Sequence, residues 1–144
     1  MLISAYLAYG LAAWLALLTL QAAIAAGVKN SQPGALPGKM NPELGHASFV
    51  FRAHRTWMNS LENAPLLLGG LLLAWMVEAN PNWIATLLWL CVVGRTGHML
   101  LYYLHSTEKN PSPRSLFFMI SWLAQLGLLL LGILTLLSAH TEYL

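Results

Sequence analysis

Residues 83–104 read WIATLLWLCVVGRTGHMLLYYL, an apolar run long enough to cross a bilayer as helix yet interrupted by Arg95 and His98. A hydrocarbon core of ~30 Å needs ~20 helical residues. Three further apolar stretches surround this one, from Leu2 to Val28, from about Ala64 to Val77 and from Leu116 to Ala139. The Ala64–Val77 stretch reaches span length only if Asn59, Glu62 and Asn63 lie at the membrane edge. The pattern predicts an all-α integral membrane protein, a four-transmembrane-helix bundle formed by one domain over residues 1–144. Its spans are expected at about 2–28, 59–78, 83–104 and 115–139, with a loop at 29–41. Met1-Leu2-Ile3 carries no basic residue and the first run exceeds the ~7–15 residues of a signal h-region, so it reads as a retained span. Ala23-Ile24-Ala25 is the stretch that imitates a cleavage site.

Composition agrees with this reading. Of 144 residues, 58% are hydrophobic and 8% charged, whereas a soluble domain carries roughly a quarter charged residues. A net charge of +2 is too small for a nucleic-acid footprint. The single cysteine, Cys91, lies in an apolar run, which leaves no disulfide framework and no cysteine-ligated metal; no metal site is expected.

Boundaries are written in caps and prolines. Asn41-Pro42-Glu43, Asn80-Pro81-Asn82 and Ser112-Pro113-Arg114 each set a capping side chain before a proline suited to the first helical position. A second helix from Pro42 to Glu78 would be about 55 Å long and would stand its first turns in headgroups or water. Lys29, Lys39, Arg52 and Arg55 lie between runs one and two, and Lys109 and Arg114 between runs three and four. The positive-inside rule then puts both connections in the cytoplasm and both termini on the other side of this multi-pass protein.

The polar residues repeat at helical spacing. Arg52, Arg55, Asn59 and Glu62 fall within ~80° of a helical wheel, as do Arg95, His98, Tyr102 and His105. Two stripes rising to one side can face one pocket, and Arg114 at the start of the fourth helix can join them. Simpler roles compete for each residue. Arg52 and Arg55 suit snorkelling interface charges, Glu62 and Asn63 suit a polar clamp, and Arg95 is deep enough to pair with an acid such as Glu62. His98 and Tyr102 suit helix packing. His46, His54 and His140 read as loop or interface residues, and Trp14, Trp57, Trp75, Trp83, Trp89 and Trp122 as belt and packing residues. Gly94, Thr96 and Gly97, with Ala8, Ala12 and Ala16, read as close-contact faces. Several mid-helix charges on facing stripes, each costing ~2.5–3.5 kcal/mol to insert, favour a water-accessible ligand site.

Arg55-x-x-x-Asn59-x-x-Glu62-Asn63-x-Pro65, then Arg95-x-x-His98-x-x-x-Tyr102, then Pro113-Arg114-Ser115 resembles the MAPEG family, the membrane-associated proteins in eicosanoid and glutathione metabolism. The resemblance covers nearly the whole chain, with three motifs in order. It implies a homotrimer of four-helix subunits that holds glutathione between neighbours on the cytoplasmic side, as in the microsomal glutathione transferases. By the same resemblance Arg55, Asn59, Glu62, His98, Tyr102, Arg114 and Ser115 contact glutathione. Lys29 is similar in place to a basic residue reaching the ligand from the adjacent subunit. Arg114 and Tyr102 take the catalytic roles, with Arg114 stabilising the thiolate. Phe118 stands where some members have tyrosine. A shifted register starting at Arg52-Ala53-His54 would put Thr56 and Asn59 where asparagine and glutamate belong, and is rejected.

The implied activity is a glutathione transferase or peroxidase acting on hydrophobic electrophiles or lipid hydroperoxides. Glutathione is the cosubstrate, and the partners are that electrophile or peroxide and membrane lipid. Two alternatives stand beside it: a non-catalytic lipid-binding member of the family, and a haem-binding electron carrier using His98, His105 or His54.

Overall fold

The structure is a computed structural model that describes residues 2–36, 38–105 and 111–141, so Met1 and Lys109 lie outside the described residues. Four helices follow in order, α1 (Leu2–Asn30), α2 (Phe49–Met76), α3 (Pro81–Leu104) and α4 (Pro113–Thr141). The chain is an all-helical bundle, and α1, α3 and α4 are each long and apolar enough to cross a membrane. The more polar α2 carries Arg52, Arg55, Asn59, Glu62 and Asn63 in its first half.

Two of the three Asn/Ser-Pro signals start helices. Asn80 caps α3 by accepting from the Asn82 amide at 3.0 Å, with Pro81 in the first turn. Ser112 precedes α4, where the Ser115 hydroxyl accepts from the Ser112 amide at 3.3 Å. The third signal makes a turn instead. The Asn41 side chain accepts from the Glu43 amide at 3.0 Å, and the chain turns again at Gly45, where Ser48 N–H donates to the carbonyl at 2.9 Å. The second helix therefore begins at Phe49, with Ser48 as its cap, and not at Pro42. Its 28 residues span about 42 Å instead of about 55 Å. Glu78 adopts a left-handed backbone (φ 54°) at the other end, where Ala79 N–H reaches back to the Ala74 carbonyl at 2.9 Å.

Helix α1 packs on α2 and α3, and α4 packs on their other side. The core is Leu67, Ala74, Ile84, Leu88, Cys91 and Leu128, all buried. Contact between α3 and α4 depends on Gly94: a Cβ there would stand 2.8 Å from the Ser121 amide nitrogen, a backbone atom that cannot swing away. Gly97 meets the Phe117 ring in the same seam. Within the subunit Gly94 and Gly97 thus make close contacts, while Ala8, Ala12 and Ala16 are exposed on its surface. The inward face of α1 is formed by Leu7, Trp14, Gln21 and Ala25, so Trp14 is a core residue, while Trp75 and Trp83 are exposed beside the α2–α3 turn.

Candidate functional site

Three segments meet at the end of the bundle that carries the long connections. Tyr102, in the last turn of α3, is buried, and its hydroxyl lies 2.7 Å from His46 Nδ1. The Arg114 guanidinium stands 4.0 Å from the centre of the Tyr102 ring. A cation over an aromatic face gains ~0.5–2 kcal/mol and fixes the guanidinium plane without consuming its hydrogens. Arg114 Nη1 is buried and has no hydrogen-bond partner among the described residues. Its position follows from the helix start: Ser112 and Pro113 open α4, so Arg114 sits in a first turn whose free N–H groups and dipole add to its positive charge. Ser115 is committed to that same start, since its hydroxyl also lies 3.2 Å from the Ser112 hydroxyl.

The stretch before α2 is strapped onto this centre. Arg52 donates from Nη1 to the carbonyls of His46 and Ala47, both at 2.8 Å, and from Nη2 to the Tyr103 carbonyl at 3.3 Å. Arg52 is buried, so it does not snorkel; it ties the loop and the end of α3 to α2. The His46 ring meets Phe51 edge-on at 5.1 Å and Tyr102 at 5.7 Å.

One turn deeper, His98 lies between the Tyr102 and Phe118 rings, at 5.8 and 6.2 Å, with Nδ1 buried and unpartnered. Below it Arg95 is 1% exposed. Arg95 Nε donates to Ser121 Oγ at 3.1 Å, Nη1 donates to Asn59 Oδ1, and the guanidinium faces the Phe118 ring at 5.3 Å. Gln125 also donates to Ser121, at 3.0 Å. The pairing of Arg95 with Glu62 is therefore corrected: its partners are neutral, and Glu62 is exposed. The reason is helix rotation. Glu62, three residues beyond Asn59, is turned ~60° further round α2, away from α3.

The polar stripe of α2 accordingly divides. Arg52 and Asn59 turn toward α3, while Arg55 and Glu62 are exposed on the isolated subunit. Lys29, in the last turn of α1, lines a cavity with Lys39, Asn41 and Leu44. His54, before the apolar half of α2, feels both sides of this region: burial first, then the Lys29 and Arg55 charges, push its imidazole below the ordinary range. The three imidazoles considered for a haem lie in different settings, with His98 buried, His54 half-buried and His105 exposed at the end of α3. Among the described residues no group of three or more His, Cys, Asp or Glu side chains is placed to hold a metal.

Sequence reasoning missed His46, whose link to Tyr102 spans 56 positions and leaves no periodic trace. It also passed over Gln21, fully buried with neither amide atom partnered. That residue did have a signal, as a lone amide in the middle of the first apolar run.

A family model described as MAPEG family matches residues 1–134. No curated protein and no solved structure matches the chain.

Proposed function

The chain belongs to the MAPEG family, and from that premise we propose that it is a glutathione transferase that activates the glutathione thiol beside Arg114. Family membership makes it a membrane protein of the group concerned with glutathione and eicosanoid metabolism. The observation that carries the finer reading is the Arg114 guanidinium, stacked on Tyr102 at 4.0 Å with Nη1 buried and unpartnered. A part-buried cation whose hydrogens are not all committed favours an anion beside it, and a helix start favours the same charge.

The energetics suit thiol activation. A cysteine-type thiol near pKa 8.5 is mostly protonated at neutral pH. Lowering it by ~2 units takes about 2.7 kcal/mol. One guanidinium at ~4 Å in an effective dielectric near 20 supplies ~4 kcal/mol before desolvation. The sulfur then attacks an electrophilic carbon and expels its leaving group with the bonding pair. With a hydroperoxide it attacks the terminal oxygen and the O–O bond breaks, giving the sulfenic acid of glutathione and an alkoxide that takes up a proton; a second glutathione thiol then displaces water from the sulfenic sulfur to give the disulfide.

The fit to the rest of glutathione is supported by chemistry. Arg55 suits a carboxylate, Glu62 the ammonium, and Asn59, His98 and Ser115 the amide and neighbouring polar groups. Arg55 and Glu62 are exposed on one subunit, which is the arrangement a site closed by a neighbour requires. A homotrimer with Lys29 contributed across the interface accounts for it. The basic connections support a site on the cytoplasmic side with the termini opposite, and in this reading the electrophile arrives from the bilayer.

Calorimetry of the detergent-purified protein with glutathione, together with ultraviolet difference absorbance for the thiolate, tests the reading. Binding accompanied by thiolate formation at neutral pH is expected. Absence of both overturns it.

A further inference from the structure

The contact between Tyr102 and His46 joins a loop imidazole to the phenol beneath Arg114. One proton lies between the two atoms, and its ownership decides what Tyr102 can do. If Nδ1 is bare, the phenol donates to it and the Tyr102 oxygen can only accept from anything else. If Nδ1 carries a proton, in the Nδ1–H tautomer or the imidazolium, it donates into the phenol oxygen. The Tyr102 O–H is then released to donate elsewhere. Only in this second arrangement can the Tyr102 phenol donate to an anion.

We propose that His46 is a positioning residue that sets the direction of the Tyr102 hydrogen bond, so that a proton on Nδ1 turns the phenol into a donor toward the anion held beside Arg114. The proposal rests on the glutathione reading above for the identity of that anion, but not for the coupling between His46 and Tyr102. The loop is built to hold this register. Arg52 grips the carbonyl of His46 itself and that of Ala47, and Phe51 meets the imidazole edge-on. Among the described residues the groups facing the pair include Arg52 and Arg55 from α2, Arg114 from α4, and His98 from α3. The three arginines stay charged between pH 5 and 8, whereas imidazoles change charge in that window. Substitution of His46 separates its share of any pH response of Tyr102 from that of the other groups around the pair.

The test follows the Tyr102 phenol carbon by NMR in tyrosine-labelled full-length protein, assigned with Tyr102→Phe and titrated from pH 5 to 8. A shift with pH is expected in the parent, and its loss is expected in His46→Asn, which keeps an amide group near the place of Nδ1 but cannot titrate. A parent that shows no shift, or a shift that persists in His46→Asn, overturns the proposal.

Turnover gives the second arm. His46→Ala should lower kcat by ~10-fold, less than the ~100-fold or more lost with a group that itself transfers the proton, with KM little changed. His46→Asn should recover most of that loss at neutral pH and flatten the pH profile of kcat. An unaltered profile in His46→Asn, with thiolate formation intact, sinks the role of His46 and leaves the function standing. A parent that binds no glutathione yet loses the coupled Tyr102 titration on His46→Asn sinks the function and upholds control of Tyr102 by His46.

Discussion

Arg95 and Arg114 each carry a buried guanidinium nitrogen without a partner among the described residues, yet α3 locks the one between helices and α4 hangs the other at its start. Arg95 spends two nitrogens on neutral acceptors from two other helices, Asn59 of α2 and Ser121 of α4. Arg114 is held mainly through its face, by the Tyr102 ring. A charge tied by hydrogen bonds to opposite walls serves to join those walls. A charge fixed by a π contact stays oriented while its hydrogens remain available. The middle of the bundle therefore uses a cation for cohesion, and the end of the bundle holds one oriented with a nitrogen uncommitted among the described residues.

The most disruptive way to probe this contrast is Arg95→Ala. It leaves Asn59 without its donor, at ~1–3 kcal/mol, takes from Ser121 one of its two donors, and opens a void besides. A loss of about 4 kcal/mol is expected in chemical denaturation of the detergent-solubilised protein. A loss under about 1 kcal/mol would mean that Arg95 does not join the helices.

Arg114→Ala sharpens the other half. Turnover at neutral pH should fall by ~100-fold, which corresponds to about 2.7 kcal/mol, while the denaturation midpoint stays near that of the parent. Raising the pH should restore part of the rate, because the thiol then ionises unaided. Arg114→Lys keeps the charge without the planar fork and should fall between the two. Equal losses of stability in the Arg95 and Arg114 variants would erase the distinction.

Arg52 lies between these cases, a buried clamp close to the site. Arg52→Ala removes charge-assisted bonds to three carbonyls and should cost about 2 kcal/mol. The local readout is faster hydrogen exchange at the first amides of α2, beginning with Arg52's neighbours Ala53 and Phe51. Unchanged exchange there would show that the loop is held by something else.

The smallest effect concerns His54. Its imidazole is pushed below the ordinary range in the folded chain by burial and by the Lys29 and Arg55 charges. The unfolded chain then binds more protons as pH falls through ~6.5, so stability should decrease from neutral toward acidic pH in that window. His54→Gln should flatten this slope in a comparison of denaturation midpoints. An unchanged slope would assign it to another group.

Much of this protein was legible in local pattern. Apolar runs located α1, α3 and α4, because a bilayer demands length and composition that no partner has to supply. Asn80-Pro81 and Ser112-Pro113 marked helix starts because a cap and a proline act within one turn. The motifs that hold Tyr102 and Arg114 stood in the sequence as two separate stretches, and the fold brought the two residues together. The start of α2 was not legible, since Asn41-Pro42 satisfies a turn as readily as a helix cap and only Gly45 and Ser48, in place, decide between them. Nor was the choice of partners: a stripe on a helical wheel is an arc, and its edges point to different neighbours. Glycine at 94 and 97 set how closely α4 approaches α3, and the rotation of α2 sent Asn59 inward and Glu62 outward. Helical period is written residue by residue in the chain, whereas the meeting of Arg95 with Ser121 or of His46 with Tyr102 requires the relative placement of elements far apart in sequence, which packing alone decides.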